Sequence, residues 1–363
     1  MACASMVEVS NLSEYIEVLK QMKSQEVAFY RGENMFFNER IASAFRPYRN
    51  GLHLFDFEKL VNFFYREVYS KISENDKKHF MAFAQHHFIP TNLIDITTNP
   101  LSALWFACDG VSKEGDGFVH CFDNNYIDIT EFVSEEFMEF DLIRKLFLIP
   151  ETGNLTSTQR DLFFCMINNT EFYKNYRNIL ANVKEAYTKR KGEETNHNDI
   201  GFVYEENEID DINELLNEFE LAYIATPSKQ KSRLATNDEV YLFAQIYRLF
   251  PIEIFKMLID VIPNLLYNPI LSFDRAVKQS GCFFYQTYLF HSFPGVNCFE
   301  NHSLQRIKVY ATIKIKNRGE ILEELDGVGI NRKTIYADFD NTARYLLENF
   351  KKYYDQFECF KIK

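Results

Sequence analysis

The chain has 363 residues, 46% hydrophobic and 25% charged, with 52 acidic against 40 basic side chains and a net charge of −12. Those fractions exclude wholesale disorder and fibrous structure, and the length suits two ordinary domains or one large domain carrying an insertion. The acid excess argues against duplex nucleic acid as a partner, because that attraction is built from many Lys/Arg–phosphate contacts. Gly (13) and Pro (9) are scarce while Phe (36) and Tyr (21) are abundant, which points to long elements, mostly helices, packed on aromatic cores. Seven cysteines without a CxxC pair fit a reducing compartment and no zinc site. The first residues, MACASMVEVSNLSEY, have neither a basic start nor an apolar run of the kind a signal peptide needs. The strongest apolar stretch, about Tyr247 to Leu271, is cut by Pro251, Glu253, Lys256, Asp260 and Pro263, too often to span a bilayer. A cytoplasmic protein without a membrane partner is expected.

In chain order, a helix is predicted over Asn11 to Lys23, followed by a short strand, VAFYRG, ending at Gly32. Phe57, Leu60, Val61, Phe64 and Val68 recur at three- and four-residue spacing and predict a helix over about 56–73. HFMAFAQHH reads as another helix, NLIDIT as a strand, LSALWFAC as a helix and GFVHCFD as a strand. From about 126 to 268 the pattern turns to helical runs such as EEFMEFDLIRKLFLI, RDLFFCMINNTEFYKNYRNILANVKEAY and DEVYLFAQIYRLF, joined by the loop-like KGEETNHNDIG and TPSKQKSR. The acidic run EENEIDDINELLNEFEL, with Leu215, Leu216 and Phe219 on one face, reads as a solvated amphipathic helix or as a docking face for a basic partner. Strand signals return in GCFFYQTYLF and in RIKVYATIKIK, where Ile307, Val309, Ala311, Ile313 and Ile315 alternate, and TARYLLENFKKYYDQF closes the chain as a helix. The architecture predicted is α+β: a domain of residues 1–125 and 269–363 with a mixed or antiparallel sheet, interrupted by a helical insertion of residues 126–268.

Three segments could carry chemistry. In LIDITTNPLSALWFAC, Asn99 and Pro100 suit the N-cap and first position of a helix, and its free amides beside Thr97 and Thr98 could hold a phosphate. An ordinary strand-to-helix turn would look the same. In Phe29-Tyr30-Arg31-Gly32, an Arg at the end of an apolar strand could grip phosphate or carboxylate with its planar fork. Gly32 would let a ligand come close to the backbone. The alternative is a buried ion pair between Arg31 and an acid such as Asp95. Between Arg275 and Gly281, Gln279 could bond a sugar hydroxyl or be a satisfied core amide. His86 and His87 diverge as sequence neighbours, so no metal is expected there. Asp338 and Asp340 could seat magnesium, or cap a helix.

Together these segments resemble the FRG domain family, whose pattern runs roughly YRGQ, a helix, AQHYGLPTRLLDWTxNPLxALYFA and an apolar strand. Tyr30-Arg31-Gly32-Glu33 resembles its start; residues 84–97 from Ala84-Gln85-His86 to Asp95-Ile96-Thr97, and 99–107 from Asn99-Pro100, resemble its centre. Arg275 to Phe283, and Gly329-Ile330 with the segment Tyr336 to Ala343, are similar to its later elements. The order of elements is in turn similar to that of Arg-type ADP-ribosyltransferases. That likeness implies an NAD-using toxin or anti-phage effector, with Arg31 at the pyrophosphate or a neighbouring ribose hydroxyl. It puts Thr97, Thr98 and Ser102 on the nicotinamide side and Gln279 in place of the catalytic Glu. Tyr30, Gly32, Gln85, His86, Asn92, Asp95 and Arg275 complete the expected ligand-binding set around a nucleotide-like small molecule. This chain departs from the pattern: Gln279 cannot serve as a general base, and Asn92 stands where the family usually has Arg. A non-catalytic sensor of a nucleotide or phage protein, its partner on the helical insertion, and an NAD glycohydrolase are the alternatives.

Overall fold

The computed structural model describes residues 5–23, 27–46, 57–110, 115–135, most of 161–179, 259–271, 278–290 and 302–350. The chain forms two compact units: residues 1–138, 264–286 and 307–363, and residues 139–263 with 287–306.

The first unit is built on an eight-stranded sheet. Its strands are β1 (Ser5–Val9), β2 (Val27–Glu33), β3 (Leu93–Thr97), β4 (Gly117–Asp123), β5 (Tyr126–Asp128), β6 (Asn264–Tyr267), β7 (Gly281–Tyr285) and β10 (Ala311–Ile315), and they lie in the order β1-β10-β4-β2-β3-β7-β6-β5. β1 runs parallel to β10 and β5 parallel to β6, while the pairings between them are antiparallel. Helices of this unit are α1 (Leu12–Lys23), α2 (Phe57–Val68), α3 (Glu74–Lys78), α4 (Phe80–His86), α5 (Pro100–Cys108), α6 (Thr130–Glu135), α7 (Arg318–Gly327), α8 (Arg332–Tyr336) and α9 (Phe339–Glu348). The fold is α+β, with a mixed sheet.

Helix α5 organises one face of the sheet. Asn99 Oδ1 accepts from the amides of Leu101 (2.9 Å) and Ser102 (3.3 Å), and Pro100 fills the first helical position. The helix then lies on two glycines of adjacent strands. A methyl on Gly32 would stand 1.9 Å from the Ala103 carbonyl oxygen, and one on Gly117 would stand 2.2 Å from that of Ala107. Around this seat Tyr15, Tyr30, Val119, Cys121, Ile313 and Ile321 make a buried core. Arg318, itself buried, donates Nη2 to the Cys108 carbonyl at 3.0 Å and so ends α5. A separate aromatic cluster joins Phe29, Phe122, Phe284 and Tyr126 edge to face.

Several elements depart from the expected ones. GCFFYQTYLF is not one strand: β7 stops at Tyr285, and β8 (Tyr288–Phe290) pairs with β9 (His302–Leu304) in a two-stranded sheet of the second unit. The break falls at Gln286, whose buried amide accepts from Ala42 N (2.8 Å) and donates to Arg40 O (3.1 Å). RIKVYATIKIK is a strand only from Ala311, because both backbone groups of Lys308 are taken by the Asn264 side chain at 2.8 and 2.9 Å. β5 and β6 belong to the main sheet although they fall inside the 126–268 span read as helical. The helix predicted over 56–73 ends at Val68 and tightens into a 3₁₀ turn over Tyr69–Lys71. In the second unit Leu162, Met166, Phe172 and Tyr176 are buried at helical positions, and the Phe172 and Tyr176 rings stack at 5.9 Å. The acidic run with Leu215, Leu216 and Phe219, and the loops KGEETNHNDIG and TPSKQKSR, lie outside the described residues.

Candidate functional site

The centre of the sheet is split. β2 pairs with β4 along its length, but with β3 at one position only, Tyr30 opposite Thr97. Beyond that pair the two strands part, and β3 carbonyls that face β2 are met by side chains. Arg31 Nη1 donates to Asp95 O at 2.7 Å, and Gln85 Nε2 donates to Leu93 O at 3.4 Å. A cleft of about 430 Å³ opens there, lined by Tyr30, Arg31, Gly32, Gln85, His86, Asp95, Thr97 and Gln279 among others. A volume of this order suits a small organic ligand.

Arg31 is positioned from behind. Its Nε donates to Glu33 Oε1 at 2.9 Å, a neighbour on the same side of β2 by the two-residue strand period. The other Glu33 oxygen accepts from His120 Nε2 at 3.1 Å, and His120 Nδ1 lies 3.0 Å from Thr312 Oγ1. An ionised carboxylate only accepts, so His120 carries its proton on Nε2 and its Nδ1 accepts a hydrogen bond from the Thr312 hydroxyl. Burial pushes the Glu33 pKa up, but bonds from His120 and Arg31 and the Arg31 charge outweigh it and hold the carboxyl at about 2. Burial draws the His120 pKa below its usual value against the pull of Glu33. The His120–Glu33 contact at neutral pH is therefore a hydrogen bond donated by a neutral ring and not an ion pair. Arg40 adds a cation 3.9 Å from Glu33. With Nε and Nη1 engaged, Arg31 Nη2 has no protein acceptor among the described residues.

The alternative reading of Arg31, an ion pair with an acid such as Asp95, holds with a different acid. Arg31 pairs with Glu33, and only the Asp95 backbone bonds to it. The Asp95 carboxylate instead accepts from Gln85 Nε2 at 3.2 Å and stays exposed to the cleft. Gln85 also accepts from Thr91 Oγ1 at 2.7 Å, so it braces the α4–β3 turn as well as the cleft wall. Thr97 Oγ1 donates to Gln279 O at 2.6 Å and accepts from Asn99 N at 2.9 Å. Its hydroxyl thus ties the end of β3 to the segment ahead of β7. The Gln279 side chain donates Nε2 to Ile335 O at 3.2 Å, which leaves its carbonyl oxygen for the cleft.

Three expected residues stand away from the cleft lining. Asn92 is fully buried and donates to Gln286 O at 3.3 Å. Ser102 is buried on α5, and Thr98 lines a smaller hollow of about 270 Å³ with Ser280 and Asn268. The α5 terminus does not offer its amides, because Asn99 takes those of Leu101 and Ser102 and Ala103 N bonds the Asn99 carbonyl. At Gly32 the close neighbour is α5 rather than a ligand. Arg275 lies outside the described residues. Asp338 caps α9, accepting from Asn341 N at 2.7 Å.

Sequence reasoning missed the group that aims Arg31. Glu33 is two residues away on the same strand, a spacing that puts both side chains on one face, and this was the available signal. His120 and Thr312 carry no local signature. Cys282, which also lines the cleft, is buried with its thiol pushed up to about 12, so it is no nucleophile. Together Arg31, Asp95 and Gln279 give the cleft lining a cation, a carboxylate and an amide. That combination suits a ligand with an anionic group and a hydroxylated or electron-poor centre. The FRG domain family model matches residues 26–116, the stretch from β2 through α5. No curated protein and no solved structure matches the chain.

Proposed function

We propose that this FRG-domain protein binds NAD in the split of its sheet and transfers the ADP-ribose moiety, acting as a toxin or anti-phage effector. The observation that supports this is the convergence of Arg31, Asp95 and Gln279 on one cleft. Arg31, held by Glu33, presents Nη2 to the pyrophosphate. The bond between ribose C1″ and the nicotinamide nitrogen breaks with the electron pair leaving on nicotinamide, which departs neutral. The oxocarbenium-like centre left behind faces the Asp95 carboxylate and the Gln279 carbonyl dipole, fixed acceptors placed where positive charge develops. The acceptor's nucleophile bonds C1″ and gives its proton to Asp95. Gln279, an amide, orients the ribose and does not move the proton.

The purified protein, incubated with NAD labelled in its adenine, is expected to release nicotinamide and carry label onto an acceptor. Arg31→Ala is expected to lower NAD turnover by about 100-fold or more, as loss of an electrostatic transition-state contact does, and to relieve growth arrest in cells expressing the protein. Label appearing only in free ADP-ribose would mean hydrolysis in place of transfer. Intact NAD and no labelled acceptor, from protein that still arrests growth, would reject the enzyme and favour a binding module.

A further inference from the structure

We infer that Phe88 is a stacking platform at the mouth of the cleft, on which the planar heterocycle of a nucleotide lies; the inference rests on reading the cleft as a nucleotide site. Helix α4 ends in a pair of bonds in which Ile89 N donates to Ala84 O (3.0 Å) and Phe88 N to Gln85 O (3.1 Å). This is the Schellman arrangement, whose residue after the cap turns left-handed and is usually Gly. Here that residue is Phe88, at φ +65°. A bulky side chain in that region is a true outlier, and its cost is returned only when surrounding contacts or function hold it.

Packing does not hold it. The Phe88 side chain is 83% exposed and makes no ring–ring contact among the described residues. A single exposed apolar residue is ordinary by itself. An exposed ring on a left-handed residue is not, because Gly would serve the turn better and cover no less core. What the ring does border is the cleft, with Ile89, Pro90 and Phe106 nearby and Arg31 among the lining residues. An accessible aromatic face and a guanidinium lining one hollow match the two ends of a nucleotide: a ring to stack and a phosphate to pair.

The test compares the intact protein with Phe88→Gly and Phe88→Trp by calorimetric titration against ADP-ribose, nicotinamide mononucleotide and pyrophosphate, alongside thermal melting. Phe88→Gly is expected to melt about 2 °C higher, because the left-handed residue is relieved. It is also expected to lose about 5- to 100-fold in affinity for the nucleotide whose ring it stacks, with pyrophosphate binding unchanged and Phe88→Trp near wild type. Loss with ADP-ribose alone identifies adenine as that ring, and loss with the mononucleotide alone identifies nicotinamide. If Arg31→Ala abolishes nucleotide binding but Phe88→Gly binds both nucleotides as tightly as wild type, this inference fails and the nucleotide site stands. Wild-type protein that binds none of the three probes overturns both.

Discussion

Glu33 shows how a buried charge can be kept for what it does to a neighbour. Glu33 is 6% exposed, and bonds from Arg31 and His120 hold its pKa at about 2 against an ordinary 4.5. A folded-state pKa below the unfolded one adds stability that is present above the unfolded value and lost as pH falls through the folded one. For Glu33 that window runs from about 4.5 down to 2, and by linkage it is worth about 3 kcal/mol. His120, with its pKa also lowered, acts in the same direction from its usual value downward. Stability should therefore fall on acidification through both windows. Glu33→Gln is expected to flatten the lower part of that fall while lowering stability at pH 7, as urea melts at pH 7, 5 and 3 would show. An acid limb identical to wild type would mean that the Glu33 pKa is not lowered by folding. At this scale the sequence was informative about Arg31, Asp95 and Gln279, since a charged or amide side chain beside an apolar strand needs a partner or a ligand. It was silent on which partner. Asp95, named as one example of an acid for Arg31, loses to Glu33, which the strand period places beside it at no cost in loop closure.

Among the elements, α5 and its two glycines set the geometry that everything near the cleft inherits. Gly32 lies on the strand that carries Arg31, and a methyl there would meet backbone of α5 at 1.9, 2.7 and 2.9 Å. Backbone cannot rotate out of the way as a side chain can, so the helix or the strand must shift. Gly32→Ala is expected to cost about 3 kcal/mol or more in equilibrium unfolding, at or beyond the upper end of ordinary overpacking. A loss below about 1 kcal/mol would show that α5 is loosely seated. This element was legible beforehand, because Asn99-Pro100 and the apolar run after them are local signals of a helix start. The split between β2 and β3 was not. Strand pairing is a relation between segments some 60 residues apart, and neither segment's alternation records that the partnership stops after Tyr30 and Thr97. The ends of β7 and β10 were misread for a similar reason. Gln286 and Asn264 turn their side-chain amides onto distant backbone, and a pattern of apolar residues does not register such bonds.

Taken as a whole molecule, the chain separates the segment that carries the family's signature from the unit that folds. Residues 26–116 match the FRG family model, yet of the eight strands in the sheet they contain only β2 and β3. Those two are central and touch at one register position. Their real partners are β4, directly after the matched stretch, and β7, which arrives from residue 281 onward. β10, whose Ile313 and Ile315 help bury α5, comes later still. A chain of residues 26–116 alone would leave the β4-facing edge of β2 and the β7-facing edge of β3 without ladders. It would also lose much of the apolar cover over Tyr30, Ala103 and Ala107. Unpaired edges and an uncovered core cannot offset the entropy of ordering a segment of that length. The isolated 26–116 fragment is therefore expected to be unfolded or aggregated, with poor amide dispersion in NMR and no cooperative melt. The full chain, measured alongside, is expected to melt cooperatively. A dispersed spectrum and a cooperative transition from the fragment would show that β2 and β3 find partners within it. In that event pairing with β4 and β7 would not be what β2 and β3 need to fold.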